Sequence, residues 1–114
     1  MNKFTDCEMA AMRRELRLNG YNSLLRLIVL HDRGIDNVAS ARRALGVFCS
    51  ASGSSIKSWE SQGLTGVFVD RAIEFAECYH LPIWRYQLEP TNAVVENWLA
   101  FDYRHLDPNK NHAA

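Results

Sequence analysis

A serine-rich segment with one lysine carries the side chains of this sequence that are best suited to bind a ligand. It runs from Ser52 to Ser58, and two arginines, Arg42 and Arg43, precede it. Hydroxyl, ammonium and guanidinium groups donate hydrogen bonds to phosphate oxygens and to the edges of bases. The chemistry that these residue types support is therefore binding, without a covalent step.

Residue types that catalyse reactions or bind metals do not occur at the spacings that known catalytic or metal sites require. The sequence has no phosphate-binding loop and no nucleophile–base arrangement, so we expect no enzyme activity and no cofactor. The three cysteines (Cys7, Cys49 and Cys78) are far apart and odd in number, which argues against a disulfide framework and against a zinc site. We expect each of them to be a reduced, buried thiol that packs as a small apolar side chain.

Length and composition predict one folded domain that positions these side chains. The chain has 114 residues, of which 47% are hydrophobic and 23% are charged, as in ordinary globular domains. The longest apolar block, residues 27–30, is far shorter than the ~18 residues that cross a bilayer. Because the N-terminus also lacks the apolar part of a secretory signal, we expect a cytoplasmic protein that does not contact membranes.

The spacing of apolar residues predicts an all-α fold of five to six helices, since hardly any stretch alternates apolar with polar residues. Thr5 and Glu8 fit a capping box at the start of a first helix, and Gly20 is expected to end it. A second helix, capped by Asn22 or Ser23, is apolar on nearly its whole circumference and is the expected centre of the domain.

Glycine, proline and capping residues predict the remaining helices. We expect a helix over residues 37–48, capped by Asp36 or Asn37, then helices over residues 52–63 and from about residue 66. Pro82 suits the first turn of a short further helix, and a last helix begins at about residue 91. This pattern divides the chain into an N-terminal helical extension (residues 1–20) and a central domain (residues 21–90). A C-terminal helix with a loose polar tail follows (residues 91–114).

Residues 42–63 fit the spacing of a helix-turn-helix, in which two short helices are joined by a tight turn. Counted from the first of these residues, the motif needs an apolar fourth residue, a small fifth and a turn-permissive ninth. It also needs an N-cap at the eleventh position and apolar residues at the tenth, fifteenth and eighteenth. The residues at these seven positions are Leu45, Gly46, Ser50, Ala51, Ser52, Ile56 and Trp59.

On these residues the chain resembles the phage Cro/CI-type repressor family, including the small YdaS-like Cro proteins. The matching residues, Leu45-Gly46, Ser50-Ala51-Ser52, Ile56-Lys57-Ser58-Trp59-Glu60 and Gly63, look like the family's L-A-x-x-x-G-V-S-x-x-x-I-S-x-W-E-x-x-G pattern. The resemblance covers roughly residues 22–90. Gly46 and Ser50 depart from it, because the family prefers Ala and Gly there. Glycine costs up to about 1 kcal/mol in a helix, and serine enters a left-handed turn less easily than glycine.

The resemblance implies an all-α, Cro-like transcriptional regulator that binds an operator in double-stranded DNA as a homodimer. Arg42 is expected on a phosphate, and Lys57 on a guanine or a phosphate. The residues expected at the DNA are Arg42, Arg43, Ser52, Gly53, Ser54, Ser55, Lys57 and Ser58. The apolar residues expected at the dimer contact are Val94, Val95, Trp98, Leu99 and Phe101.

Two alternatives stay open at this point. The same fold can serve as a protein-interaction module, such as an antitoxin or an anti-regulator with a protein partner. The N-terminal face of Met9, Met12 and Leu16 is a second, smaller candidate for the dimer contact, and the apolar residues of both terminal segments can also fold back onto the core.

The balance of charge, which is zero overall, argues at first against a nucleic-acid partner. However, residues 1–63 contain nine basic and six acidic residues, whereas residues 64–114 contain four basic and seven acidic ones. The basic half includes the whole helix-turn-helix pattern. Because electrostatic affinity for DNA grows with the number of phosphates neutralised, we expect a monomer to bind weakly and a dimer to be needed.

Overall fold

The computed structural model describes residues 4–32 and 34–106, with side chains up to residue 99. These residues form six α-helices and no strand, so the predicted all-α fold is confirmed. The helices are α1 (Asp6–His31), α2 (Val38–Phe48), α3 (Gly53–Gln62), α4 (Val67–Cys78), α5 (Arg85–Leu88) and α6 (Asn92–Leu106). None of them combines the length and the apolar composition that a membrane-spanning helix requires. The tail predicted to be loose, residues 107–114, lies outside the described residues.

Helix α1 begins at the predicted capping box. The Glu8 amide donates to Thr5 Oγ1 at 3.1 Å, and the Thr5 amide donates to Glu8 Oε1 at 3.2 Å. The helix then continues for 26 residues, roughly 39 Å at 1.5 Å per residue. It contacts α2, α3, α5 and α6, so α1 lies at the centre of the fold.

The prediction that Gly20 ends a first helix, and that Asn22 or Ser23 begins a second one, is wrong, because α1 passes through all three. Gly20 is buried where α5 crosses α1. A Cβ atom at this position would overlap the carbonyl oxygen of Gln87 and lie 2.5 Å from its carbonyl carbon. Gly20 therefore allows two backbones to approach closely, and the expected boundary at residue 20 falls within one helix.

The core is built on the buried side of α1. Tyr21, Leu24, Leu25 and Ile28 are at most 2% exposed, as the sequence predicts for this segment. Leu30 is 79% exposed, so the apolar circumference is not buried all round. The other helices and loops contribute further buried side chains, which include Leu45, Trp59, Leu64, Val69, Phe75 and Leu88.

The cysteines differ from the expectation of three buried thiols. Cys49 is buried at the end of α2, and burial raises the pKa of its thiol to about 11. Cys7 and Cys78 are exposed, so the prediction is wrong for them. Cys7 lies in the first turn of α1 and Cys78 in the last turn of α4, and both are outside the buried sides of these helices. The described residues contain no group of three or more potential metal ligands.

The C-terminal part of the chain packs against α1. Pro82 precedes α5, which begins at Arg85, instead of lying in its first turn. Helix α6 begins after Thr91, whose hydroxyl accepts a hydrogen bond from the Val94 amide at 3.3 Å. Val95 is fully buried within the chain, so its side chain cannot contact a second copy, contrary to expectation.

Candidate functional site

Helices α2 and α3 form a compact unit that carries the predicted ligand-binding residues. Asn37 caps α2, since its Oδ1 accepts a hydrogen bond from the Ser40 amide at 2.9 Å. Four residues, 49–52, separate the two helices. Leu45 of α2 and Trp59 of α3 are at most 1% exposed, and each fixes its helix to the core.

The two helices cross closely at Gly46. This residue is buried, and a Cβ atom there would overlap Cδ1 of Ile56 and lie 3.1 Å from Cγ1. Ile56 is itself partly buried against the core. Gly46, at the position where the repressor pattern has alanine, therefore accommodates a branched side chain of the neighbouring helix.

The turn between the helices places Ser50 in the left-handed region, with φ of 54°. The Ser50 amide donates to the Val47 carbonyl at 3.1 Å, and the Ala51 amide donates to the Gly46 carbonyl at 3.0 Å. These bonds satisfy carbonyl groups at the end of α2. The expected cost of serine at this position therefore applies, because left-handed backbone disfavours residues with a Cβ atom.

Replacing Ser50 with glycine should stabilise the protein. Glycine removes a left-handed strain of about 1–2 kcal/mol but adds about 0.5–1 kcal/mol of unfolded-state entropy. We expect a net gain of about 0.5–1 kcal/mol in the free energy of unfolding, measured by urea denaturation. As a control, Ser61→Gly within α3 should lower this free energy by about 0.5 kcal/mol. A destabilised Ser50→Gly variant would contradict the strained turn.

Ser52 is the N-cap of α3, as the spacing predicts. Its Oγ accepts a hydrogen bond from the Ser55 amide at 3.2 Å and lies 3.0 Å from the Ser55 hydroxyl. The Ser58 hydroxyl donates to the Ser55 carbonyl at 2.8 Å. Ser52 and Ser55 are therefore engaged in starting the helix, and their first role is to orient it.

The solvent side of the first two turns of α3 consists of small residues and one basic residue. Gly53, Ser54, Lys57 and Ser58 are exposed, while Trp59 points into the core. The first turn of a helix has N–H groups without intrahelical partners, and it carries a partial positive charge. Together with Lys57, this end of α3 is able to attract an anionic ligand.

Arg42, which is expected to contact a phosphate, forms two contacts within the protein. Its Nε donates to the Tyr21 hydroxyl at 3.2 Å, and its Nη1 lies 3.1 Å from Glu60 Oε1. Burial raises the pKa of Tyr21, and the hydrogen bond from Arg42 opposes this shift. Arg42 thus joins α1, α2 and α3, and its side chain is 25% exposed. Arg43 is exposed and donates to Ser40 Oγ at 3.3 Å.

Arg17 positions the other end of α3, and sequence reasoning missed it. Its Nε donates to the Gln62 carbonyl at 2.5 Å, so a cation satisfies the negative end of this helix. Gly63 ends α3, as predicted, with φ of 73°, and a Cβ atom there would lie 2.8 Å from Arg17 Cγ. Arg17 and Gln62 are 45 residues apart in the sequence, and no local sequence pattern predicts such a contact.

Comparisons with protein-family models, with curated proteins and with solved structures find no match for this chain. The Cro/CI-type resemblance therefore depends on the motif residues of the sequence alone and stays a prediction.

Proposed function

We propose that this protein is a small, Cro-like transcriptional regulator that acts in the cytoplasm by binding an operator in double-stranded DNA. In this proposal α2 and α3 are a helix-turn-helix, and α3 enters the major groove. The observation that supports it best is the two-sided character of α3. One side holds buried Trp59, whereas the other presents Ser54, Lys57 and Ser58 to solvent.

The chemistry of this exposed side suits a DNA contact. The N-terminal residues of a recognition helix meet base edges, and Gly53 and Ser54 are short enough to let the helix backbone approach them closely. Lys57 lies one turn further and reaches a guanine edge or a phosphate. Because serine hydroxyls both donate and accept hydrogen bonds, we propose modest sequence discrimination, with affinity that depends on phosphate contacts.

Removal of the Lys57 side chain tests this proposal. We expect Lys57→Ala to weaken binding to a duplex selected by the wild type from a random library. The loss should be about 1–3 kcal/mol if Lys57 contacts a base; if it contacts a phosphate, the salt slope should fall by about 1. The measurement is fluorescence polarisation of the labelled duplex. Since Lys57 is exposed, the free energy of unfolding should stay within about 0.5 kcal/mol of the wild type.

Arg26→Ala is the matched control, because Arg26 is also an exposed cation but belongs to α1 and not to α3. It should bind the duplex as the wild type does. If the wild type and Lys57→Ala bound the duplex equally well, Lys57 would not contact the DNA. Absence of any duplex binding by the wild type would overturn the proposal.

An open apolar groove between α1, α5 and α6 supports the dimer that this proposal includes. It has a volume of about 600 Å³, and its lining includes Leu16, Tyr86, Val94 and Trp98. With Val95 buried, the expected dimer face is reduced to Val94, Trp98 and Leu99, which are partly exposed; Phe101 lies beyond the described side chains. Light scattering should give twice the mass of 13.0 kDa.

The same groove favours a second candidate function, in which the fold binds a different protein as an antitoxin or anti-regulator does. Its lining residues are uncharged, as in the core of a protein–protein contact. A monomer in light scattering that co-purifies with another protein in fixed ratio, and ignores DNA, would favour this candidate.

A further inference from the structure

A cluster of three arginines on α1 lies outside the expected DNA-binding residues. Arg13, Arg14 and Arg17 occur within five consecutive positions, and we refer to them as the arginine cluster. Among the described residues, ion pairs involve the cations of Arg42 and Arg85 and none of these three. Arg13 instead donates to the Asn92 side chain, Arg17 donates to the Gln62 carbonyl, and Arg14 is exposed.

The positive charges of the cluster act on one another. Burial and the charges of Arg13 and Arg14 lower the pKa of Arg17. Like charges on neighbouring side chains repel one another, and the repulsion destabilises the fold unless a counter-charge is supplied. No carboxylate of the described residues pairs with these groups, so an external anion is the group that would relieve the repulsion.

The position of the cluster relates it to α3. Arg17 contacts Gln62, the last residue of α3, and Tyr21, one turn further along α1, contacts Arg42. Arg42 in turn pairs with Glu60 of α3. Arg17 therefore lies at the end of α3, and Arg42 of α2 lies beside its last turns. Arg13 and Arg14 precede Arg17 by about one turn of α1. The end of α3 lies roughly 15 Å from the start of this ten-residue helix, and the major groove is about 12 Å wide.

We propose that the arginine cluster is a second DNA contact, which binds backbone phosphates beside the groove that α3 enters. This inference rests on the proposed function. Guanidinium groups bind phosphate oxygens through two parallel hydrogen bonds. Such contacts position a protein on the duplex without selecting a sequence, and this suits a recognition helix whose own side chains are small.

The salt dependence of DNA binding tests this contact in the full chain. The measurement is the slope of log K against log salt for a labelled duplex, between about 50 and 200 mM salt. Each lost phosphate contact lowers the slope by about 0.9. For Arg13→Gln/Arg14→Gln we expect a slope smaller by about 1–2, with the same fold-loss of affinity for every duplex sequence.

Two control variants and a folding check accompany this experiment. Arg13→Lys/Arg14→Lys keeps both charges and should keep the slope, and Arg26→Gln removes an exposed charge elsewhere on α1 and should also keep it. Urea denaturation verifies that each variant folds. If loss of the Arg13–Asn92 contact impairs folding, Arg14→Gln alone should lower the slope by about half as much.

The outcomes separate this inference from the proposal beneath it. A wild-type slope in Arg13→Gln/Arg14→Gln, with Lys57→Ala still weakened, overturns the phosphate contact and leaves DNA binding by α3 intact. A wild type that binds no duplex overturns both. A loss of affinity confined to one sequence would also contradict a phosphate contact, because phosphates are present in every duplex.

Discussion

Replacing Trp59 with alanine should lower the free energy of unfolding by about 3–5 kcal/mol, the range for large aromatic side chains removed from a core. Trp59 is 1% exposed and packs edge-on against Tyr21 and Phe68, with ring centroids 6.0 and 5.3 Å apart. Its indole ring therefore joins α3 to α1 and α4. Urea denaturation monitored by circular dichroism measures the loss.

Trp84→Ala is the matched control for this prediction. The side chain has the same size but is 67% exposed, and exposed substitutions change stability by within about 0.5 kcal/mol. If the two variants were equally stable, the orientation of α3 described above would be wrong.

Gly20→Ala should also destabilise the protein, although alanine is the better helix former by about 1 kcal/mol. The new methyl group would overlap the Gln87 carbonyl oxygen, and a backbone atom cannot rotate away as a side chain does. Overfilling a close contact costs about 1–3 kcal/mol, and α5 must move away from α1. We expect a net loss of up to about 2 kcal/mol in the free energy of unfolding, measured by urea denaturation.

Gly53→Ala provides the contrasting case. Gly53 is exposed in the first turn of α3, and a Cβ atom there has nothing within 4 Å. Alanine should leave the protein as stable as the wild type or add up to about 1 kcal/mol. A stabilised Gly20→Ala variant would show that α5 does not cross α1 at this residue.

Signals within a few residues of each other account for the features that the sequence predicts correctly. Thr5 with Glu8, Asn37 with Ser40, and Ser52 with Ser55 are each three residues apart. Capping depends on this short spacing, so the helix starts are readable without a tertiary structure. The left-handed conformation of Ser50 agrees with the turn-permissive residue that the helix-turn-helix pattern requires at its ninth position.

Contacts between distant segments account for what the sequence does not predict. Glycine is typical of helix ends, so the sequence predicts one at Gly20. Its actual role, to let two backbones approach closely, depends on Gln87 of α5. The sequence pattern predicts a phosphate contact for Arg42 but does not reveal that Tyr21 and Glu60 contact two of its nitrogens. The same limit applies to Arg17, whose partner Gln62 lies on another helix. Such pairings depend on how helices cross, which local patterns do not determine.

The zero net charge has a structural counterpart. The basic half of the sequence forms α1, α2 and α3, and the acidic half forms α4, α5 and α6. In the acidic half, Arg85 pairs with Asp70 at 2.7 Å. In the basic half, the arginine cluster has no such partner among the described residues. The part of the chain with excess positive charge thus forms the helices that we propose contact DNA.

The most direct test of the account is a titration of a labelled, library-selected DNA duplex with the wild-type protein at a series of salt concentrations. We predict saturable binding in which log K falls linearly with log salt, with a slope set by the number of phosphates contacted. Binding should weaken in Lys57→Ala and persist in Arg26→Ala. No binding at about 50 mM salt, or affinity that does not depend on salt, would contradict a DNA-binding function.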